Sequence, residues 1–285
     1  MHPITNHIHQ ALRNLYPPEE VRALARIICV DMLGIRAIDL YVGKDITLLP
    51  SQQAELDETL SRLAKYEPIQ YIRGIEEFRG RPFRVNPHVL IPRPETAELV
   101  DLIIADNARQ PCRILDIGTG SGCIAITLDL EMPEATVDAW EVSGHALAVA
   151  IDNNADLGAH VGFALRDMFD EEAVHTQAPY HVIVSNPPYV TETELAAADP
   201  NIRWEPRLAL HVPDDNPLLY YRRIARIGRS LLADGGRLYF EINQAYGQRM
   251  ARMLEGEGYA HIRLVRDTYG NERFVVATPF TYIYA

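Results

Sequence analysis

From residue 112 onward, short apolar segments alternate with helical stretches, and this alternation constrains the fold more than any other feature of the chain. The segments are Arg113–Asp116, Thr136–Glu141, Gly162–Leu165, His181–Ser185, Gly236–Glu241, His261–Arg266 and Arg273–Ala277. Helical patterns lie near 121–130, 144–157, 217–232 and 245–257. Strands joined by helices predict an open α/β sheet with helices on both faces. The last two segments follow each other with no room for a helix. A parallel crossover needs a dozen or more residues, so one of them must run antiparallel to its neighbours.

The preceding third reads differently. Val21, Leu24, Ala25, Ile28 and Met32 form one face of a helix, with Pro17, Pro18 and Glu19 before it and Gly34 after it. Leu56, Leu60 and Leu63 mark another helix, with Ser51 as its expected N-cap and Pro68 beyond its end. His2, His7 and His9 sit on a terminus without apolar period and read as solvated side chains rather than metal ligands. Between 71 and 93, Phe78, Phe83, Val85, Val89 and Ile91 are interrupted by Gly80, Pro82, Pro87 and Pro92, the pattern of a short hairpin and an extended linker. A helix is expected from about Glu95 to Asn107. The predicted organisation is a helical domain over 1–70, a hairpin linker over 71–94 and an α/β domain over 95–285.

Composition narrows the class. Of 285 residues, 47% are hydrophobic and 23% charged, which excludes a disordered chain or a fibre. No apolar run reaches the length of about 18 residues that a membrane helix needs, and the start has no basic end followed by an apolar core, so no leader is expected. The three cysteines, Cys29, Cys112 and Cys123, lack metal-ligand spacing and read as buried reduced thiols in a cytoplasmic protein. No metal site is expected. With 27 basic and 39 acidic residues the net charge is −12, which argues against free nucleic acid as the main partner.

The first strand runs into Asp116-Ile-Gly118-Thr119-Gly120-Ser121-Gly122. Glycines at these spacings let the backbone turn tightly and approach a ligand. The pattern is not the pyrophosphate-binding G-x-G-x-x-G. Three acids follow at successive strand ends: Asp116 for an ammonium, Glu141 for the two hydroxyls of a ribose, and Asp167 for an adenine amine. Together they predict a nucleoside site at the carboxyl edge of the sheet. S-adenosylmethionine fits it, having a ribose, an adenine and an ammonium but no phosphate. Either Met168 or Phe169 is expected to pack on the adenine.

The fourth strand ends in Ser185-Asn186-Pro187-Pro188-Tyr189. An amide or aromatic amine nitrogen delocalises its lone pair and is a poor nucleophile. The Asn186 side-chain carbonyl and the Pro187 backbone carbonyl can accept its two N–H groups, and Tyr189 can stack on the planar group. The prolines fix φ and stiffen the segment. Asn186, Pro187, Pro188 and Tyr189 are therefore the expected acceptor-binding and catalytic residues, with Asn186 also near the cofactor. The chemistry is orientation of a planar nitrogen toward a methyl donor.

Several blocks resemble the HemK/PrmC family, protein-glutamine N5-methyltransferases that modify peptide chain release factors. They are Pro68-Ile-Gln-Tyr-Ile-Arg-Gly74 with Glu77-Phe78, Val89-Leu-Ile-Pro-Arg-Pro-Glu-Thr96, Asp116 to Gly122, Asn186 to Tyr189, Glu205-Pro206 before Ala209-Leu210, and Asp267 to Arg273. Departures from the family pattern are Ala97 after the Arg-Pro-Glu-Thr block, Glu141 for a more usual Asp, and Asn243 for a glycine. The resemblance implies a seven-stranded Rossmann-like class I methyltransferase sheet behind a small helical domain. It further implies methyl transfer from S-adenosylmethionine, leaving S-adenosylhomocysteine, to the glutamine of a Gly-Gly-Gln loop on a release factor. Competing readings are an N6 or N2 amino methyltransferase of DNA or RNA bases, a glutamine methyltransferase of a ribosomal protein, and a catalytically silent cofactor-binding protein.

Overall fold

A computed structural model describes residues 2–107, 111–170 and 179–280. Two compact units divide between Gly74 and Ile75.

The first unit is helical: α1 (Pro3–Leu12), α2 (Pro18–Arg26), α3 (Ala37–Tyr41), α4 (Pro50–Leu63) and α5 (Ile69–Arg73). Its core gathers Ile8, Leu12, Val21, Leu24, Ile28, Leu56 and Leu63. The expected stripe on α2 holds as far as Ile28. There α2 passes into a π-turn, Ile27–Met32, in which the Leu33 N–H reaches back five residues to the Ile28 carbonyl at 2.9 Å. The wider turn shifts the helical phase, so Met32 is only half-buried and Leu33 and Ile35 enter the core instead.

Two expectations for this unit are corrected. Ser51 does not cap α4, because Pro50 already occupies its first turn. The free N–H of Leu49 is taken by the Gln52 side chain at 2.9 Å. His2 is not solvated. It is buried, accepts the Ile4 N–H at its Nδ1 (3.2 Å), and its Nε2 lies 2.9 Å from the Lys44 carbonyl oxygen. It is thus the N-cap of α1, while His7 stays exposed.

The second unit opens with a hairpin, β1 (Ile75–Phe78) and β2 (Arg81–Arg84). Phe78 and Phe83 meet edge to face at 5.9 Å and pack into the main core, so the hairpin is part of this unit rather than a free linker. Arg79 and Arg81 both pair with Glu131 at 2.6 Å. Then follow α6 (Pro94–Asn107), β3 (Cys112–Ile117), α7 (Cys123–Glu131), β4 (Ala135–Glu141), α8 (Gly144–Leu157), β5 (Gly162–Leu165) and β6 (Tyr180–Ser185). An excursion adds β7 (Val190–Thr191), α9 (Glu192–Ala197), α10 (Arg207–Leu210) and β8 (His211–Val212). The chain closes with α11 (Leu219–Leu231), β9 (Leu232–Glu241), α12 (Gly247–Gly256), β10 (Tyr259–Arg266) and β11 (Glu272–Pro279).

The seven expected strands form one sheet in the order β10-β11-β9-β6-β3-β4-β5. Strand β11 runs antiparallel to both neighbours, and the other pairs are parallel. Side chains alternate across the pleat. Ile114, Val137, Val182, Val184 and Tyr239 face α6 and α7 on one side, while Leu115, Ile117, Trp140, Ile183 and Phe240 face α11 and α12 on the other. Burial on both faces is why these strands read as continuous apolar runs.

Connections from β3 lead to β4 and β5 on one side and those from β6 lead to β9 on the other, so β3 and β6 flank the topological switch point. Ligands of open α/β sheets bind outside the carboxyl ends of the strands at that point. The register pairs Asp116 with Val184, Ile117 with Trp140 and Ser185 with Phe240. Gly118, Glu141, Asn186 and Glu241 therefore leave the sheet at one level.

Candidate active site

A cleft opens at this level, lined by the Gly118–Ser121 loop, Glu141, Met168, Thr96, Arg93 and Asn186–Pro188. Gly118 and Gly120 have φ of +79° and +57°, values that a side chain would strain. The loop folds back on β4, where the Trp140 carbonyl accepts the N–H groups of Gly118 (2.8 Å) and Thr119 (3.1 Å).

Glu141 is buried and already partnered. Its Oε2 accepts the Gly120 N–H, and its Oε1 accepts those of Val142 and Ser143, each at 2.9 Å. A carboxylate offers about four acceptor positions. One is spent on the glycine loop and two on the turn that follows β4, and one on Oε2 is left for a ligand hydroxyl.

Several expected cofactor residues stand elsewhere. Asp116 is fully buried and does not line the cleft. Its Oδ2 accepts the Thr119 hydroxyl at 2.7 Å, and its Oδ1 has no hydrogen-bond partner. Burial pushes this carboxyl up to about 7, against the lowering effect of the Thr119 hydroxyl, with Glu141 adding to the rise. Asp116 thus supports the loop from behind Thr119 rather than forming the cleft wall. Gly122 also lies off the wall and opens α7 with φ +82°; a Cβ there would come within 2.7 Å of Ile126. Asp167 is exposed beyond the end of β5 and accepts the Phe169 N–H at 2.8 Å. Of the two candidates for packing on adenine, Met168 lines the cleft. Phe169 is 44% exposed and stands edge-on to Tyr220, which does line it.

Beside the loop stands the asparagine segment. Asn186, Pro187 and Pro188 line the cleft as expected, but Tyr189 does not. Its hydroxyl finds a buried acceptor, Glu241 Oε1 at 3.3 Å, and its half-buried ring packs against the core. Burial raises the Tyr189 phenol above its ordinary pKa and keeps it a neutral donor. Glu241 ends β9 almost fully buried and also accepts the Thr96 hydroxyl at 2.7 Å. Burial raises its pKa, opposed by Thr96, Arg273 and Tyr189. Asn186 Nδ2 donates to Thr96 Oγ1 over 3.4 Å.

Sequence reasoning missed the remaining walls. His88 stacks on His145 at 4.6 Å at the edge of the cleft. Pro206, Leu208 and Ala209, carried in by the excursion after β6, form the far side. The Glu205-Pro206 block marked that segment without showing what it touches. Asn243, a departure noted in the sequence, donates to Glu194 Oε1 at 3.0 Å and accepts the Ala245 N–H at 3.0 Å. The three cysteines are buried and free. No cluster of three or more metal-ligating side chains occurs among the described residues.

A mostly parallel sheet with a Gly-rich loop and an acid at its switch point, beside an Asn-Pro-Pro-Tyr strand exit, defines a Rossmann-like methyltransferase. Residues 97–203 match the family model described as methyltransferase small domain, and residues 4–74 match the PrmC N-terminal domain. A methyltransferase from Pyrococcus furiosus shares the fold, with a TM-score of 0.54 at 15% identity over 82% of this chain and 100% of that one. A release factor glutamine methyltransferase of Bacteroides thetaiotaomicron is 56% identical over 97% of this chain and 99% of its own length. Another, from Flavobacterium psychrophilum, is 39% identical over 93% of this chain and 94% of its own length. The chain belongs to the release factor glutamine methyltransferase family.

Proposed function

We propose that this enzyme transfers a methyl group from S-adenosylmethionine to the side-chain amide nitrogen of the glutamine in a release factor's Gly-Gly-Gln loop. The observation that carries the reading is the placement of Asn186 and Pro187 on the wall of the same cleft that the Gly118–Ser121 loop and Glu141 line. The cleft fits the donor: neutral backbone and one free carboxylate lone pair suit a ribose, and Met168 offers an apolar face to a base. When bound, the sulfonium supplies an electrophilic methyl group. Asn186 Oδ1 and the Pro187 carbonyl accept the two N–H groups of the glutamine amide and hold its plane across the line of transfer. Pro188, Leu208 and Ala209 give the approach an apolar wall. The proton displaced by methylation leaves to water, so Asn186 need hold none.

The helical unit supplies binding surface for a folded protein partner, and the net charge of −12 opposes a nucleic-acid acceptor. No helix among the described residues is long and apolar enough to cross a membrane. A cytoplasmic location suits buried thiols and a partner that works in translation. The test offers methyl-labelled cofactor to a release factor, to its Gln→Ala variant, and to mixed DNA and RNA. Label on the intact factor alone supports the reading. Label on nucleic acid, or undiminished label on the Gln→Ala factor, overturns it.

A further inference from the structure

We propose that Glu241 and Thr96 are positioning residues that fix which end of the Asn186 carboxamide faces the methyl acceptor. The assignment rests on the reading of Asn186 as the group that receives the acceptor amide, and it adds two residues that this reading does not require.

The two ends of an asparagine side chain are nearly the same size and opposite in hydrogen-bond character. Only the carbonyl end can accept an N–H from the substrate. A flipped Asn186 would set its own NH2 against the glutamine NH2, two donors facing each other. Something must therefore hold the amide one way round, and a lone hydroxyl beside it cannot, because a hydroxyl both donates and accepts.

The buried chain behind Asn186 removes that ambiguity. An ionised carboxylate only accepts. Thr96 must then spend its one proton on Glu241 Oε2, at 2.7 Å, and can offer Asn186 nothing but a lone pair. Asn186 Nδ2 turns to that lone pair at 3.4 Å, which sends Oδ1 the other way, toward the cleft. Thr96 is 2% and Glu241 1% exposed, so bulk water does not compete for either group. The carboxylate's other oxygen takes the Tyr189 hydroxyl at 3.3 Å. One side chain thereby secures the Asn-Pro-Pro-Tyr segment at both ends. Burial works against the charged form of Glu241 and raises its pKa, while the Thr96 hydroxyl, Arg273 and the Tyr189 hydroxyl favour that form and Glu95 opposes it. The sheet explains the placement: Ser185 pairs with Phe240, so Asn186 and Glu241 are the next residues out on adjacent parallel strands.

The test measures turnover on a release factor, cofactor affinity, and the side-chain NH2 resonances of Asn186, assigned by their loss in Asn186→Ala. Thr96→Val removes the hydroxyl at nearly constant volume, and Thr96→Ser keeps it. Glu241→Gln can present its own NH2 to Thr96, freeing the Thr96 proton to pull the asparagine round. In Thr96→Val and Glu241→Gln, kcat should fall about 10–100-fold, the scale of misplacing a reacting group. KM for the factor and cofactor affinity should stay within about threefold, and the Asn186 NH2 resonances should move. Thr96→Ser should restore both kcat and the resonances. Equal kcat in Thr96→Val and wild type, or a loss that Thr96→Ser does not rescue, overturns the proposal. Should Thr96→Val fail to bind cofactor, Glu241→Gln decides by the same two readouts. Wild-type enzyme that labels no glutamine overturns the function proposed above, while the resonances still decide whether Thr96 orients Asn186.

Discussion

Arg93 donates from Nη2 to Glu205 Oε1, and the N–H of Ile91 reaches the other carboxylate oxygen at 3.1 Å. The Glu205 side chain is 3% exposed and that of Arg93 33%. This pair ties the extended segment before α6 to the excursion that carries Pro206 and Leu208 to the cleft. Removing the cation alone leaves a buried carboxylate half-partnered, which is costlier than never having the pair. Arg93→Ala should therefore lose about 2–3 kcal/mol in urea unfolding, the lower range for broken buried pairs because the guanidinium is partly hydrated. Adding Glu205→Gln should recover part of that loss, since the amide oxygen still accepts the Ile91 N–H. Additive losses would mean that the two side chains act independently.

Glu141 couples cofactor binding to the shape of its own loop. Glu141→Ala frees the N–H groups of Gly120, Val142 and Ser143 as well as removing the acceptor for a ligand hydroxyl. Cofactor affinity should weaken by about 1.5–3 kcal/mol, the scale of hydrogen bonds to a charged group. Titration calorimetry reads this directly, and unchanged affinity would remove Glu141 from the site.

Asn186→Ala should bind cofactor with near-normal affinity and turn over about 100-fold more slowly or worse, by comparison with deleting one oriented polar group from other active sites. Single-turnover transfer at saturating cofactor isolates the chemical step. Near-normal transfer would sink the double-acceptor arrangement at Asn186 and Pro187.

What the sequence carried, and what it hid, follows from where each signal resides. The central strands of the sheet were legible because burial on both faces writes them as apolar runs, as in Ile114-Leu115 and Val182-Ile183-Val184. That one of the last two strands runs antiparallel was legible from their short connection alone; that it is β11 was not. The π-turn after Arg26 was not, since Ile27–Met32 continues an ordinary helical composition and only the Leu33–Ile28 hydrogen bond reveals the wider turn. His2 looked like a free terminal side chain because its partner, the Lys44 carbonyl, lies 42 residues away.

The site divides the same way. The glycines, Glu141 and Asn186 announce themselves by position relative to strand ends. Asp116 and Tyr189 were expected to face a ligand, and each is instead engaged by a side chain that no local pattern singles out as its partner. Thr119 takes Asp116, and Glu241 takes Tyr189. The contact of Thr96 with Glu241, separated by 145 residues, depends on sheet register and on the path of α6, neither of which any local pattern encodes.

Asp116 gives the fold a pH dependence of unusual sign. Most carboxylates are stabilised by folding and weaken a protein when acid protonates them. Asp116 has a fully buried carboxyl with Oδ1 unpartnered, and burial holds it up to about 7, against an ordinary 3.8. Between those values the folded state carries a proton that the unfolded state has lost. Stability from this group therefore falls as pH rises from about 4 to 7 and is lowest above 7. The full span corresponds to at most about 4 kcal/mol, and the part between pH 5.5 and 8 to about 2 kcal/mol, at 1.36 kcal/mol per pKa unit. Asp116→Asn keeps the shape, still accepts the Thr119 hydroxyl, and has no charge to desolvate. Its urea midpoint should already lie above that of the wild type at pH 5.5, and the gap should widen by up to about 2 kcal/mol by pH 8. Parallel midpoints at the two pH values would show that water or a polar neighbour reaches Oδ1 and that Asp116 is ionised in the folded protein throughout.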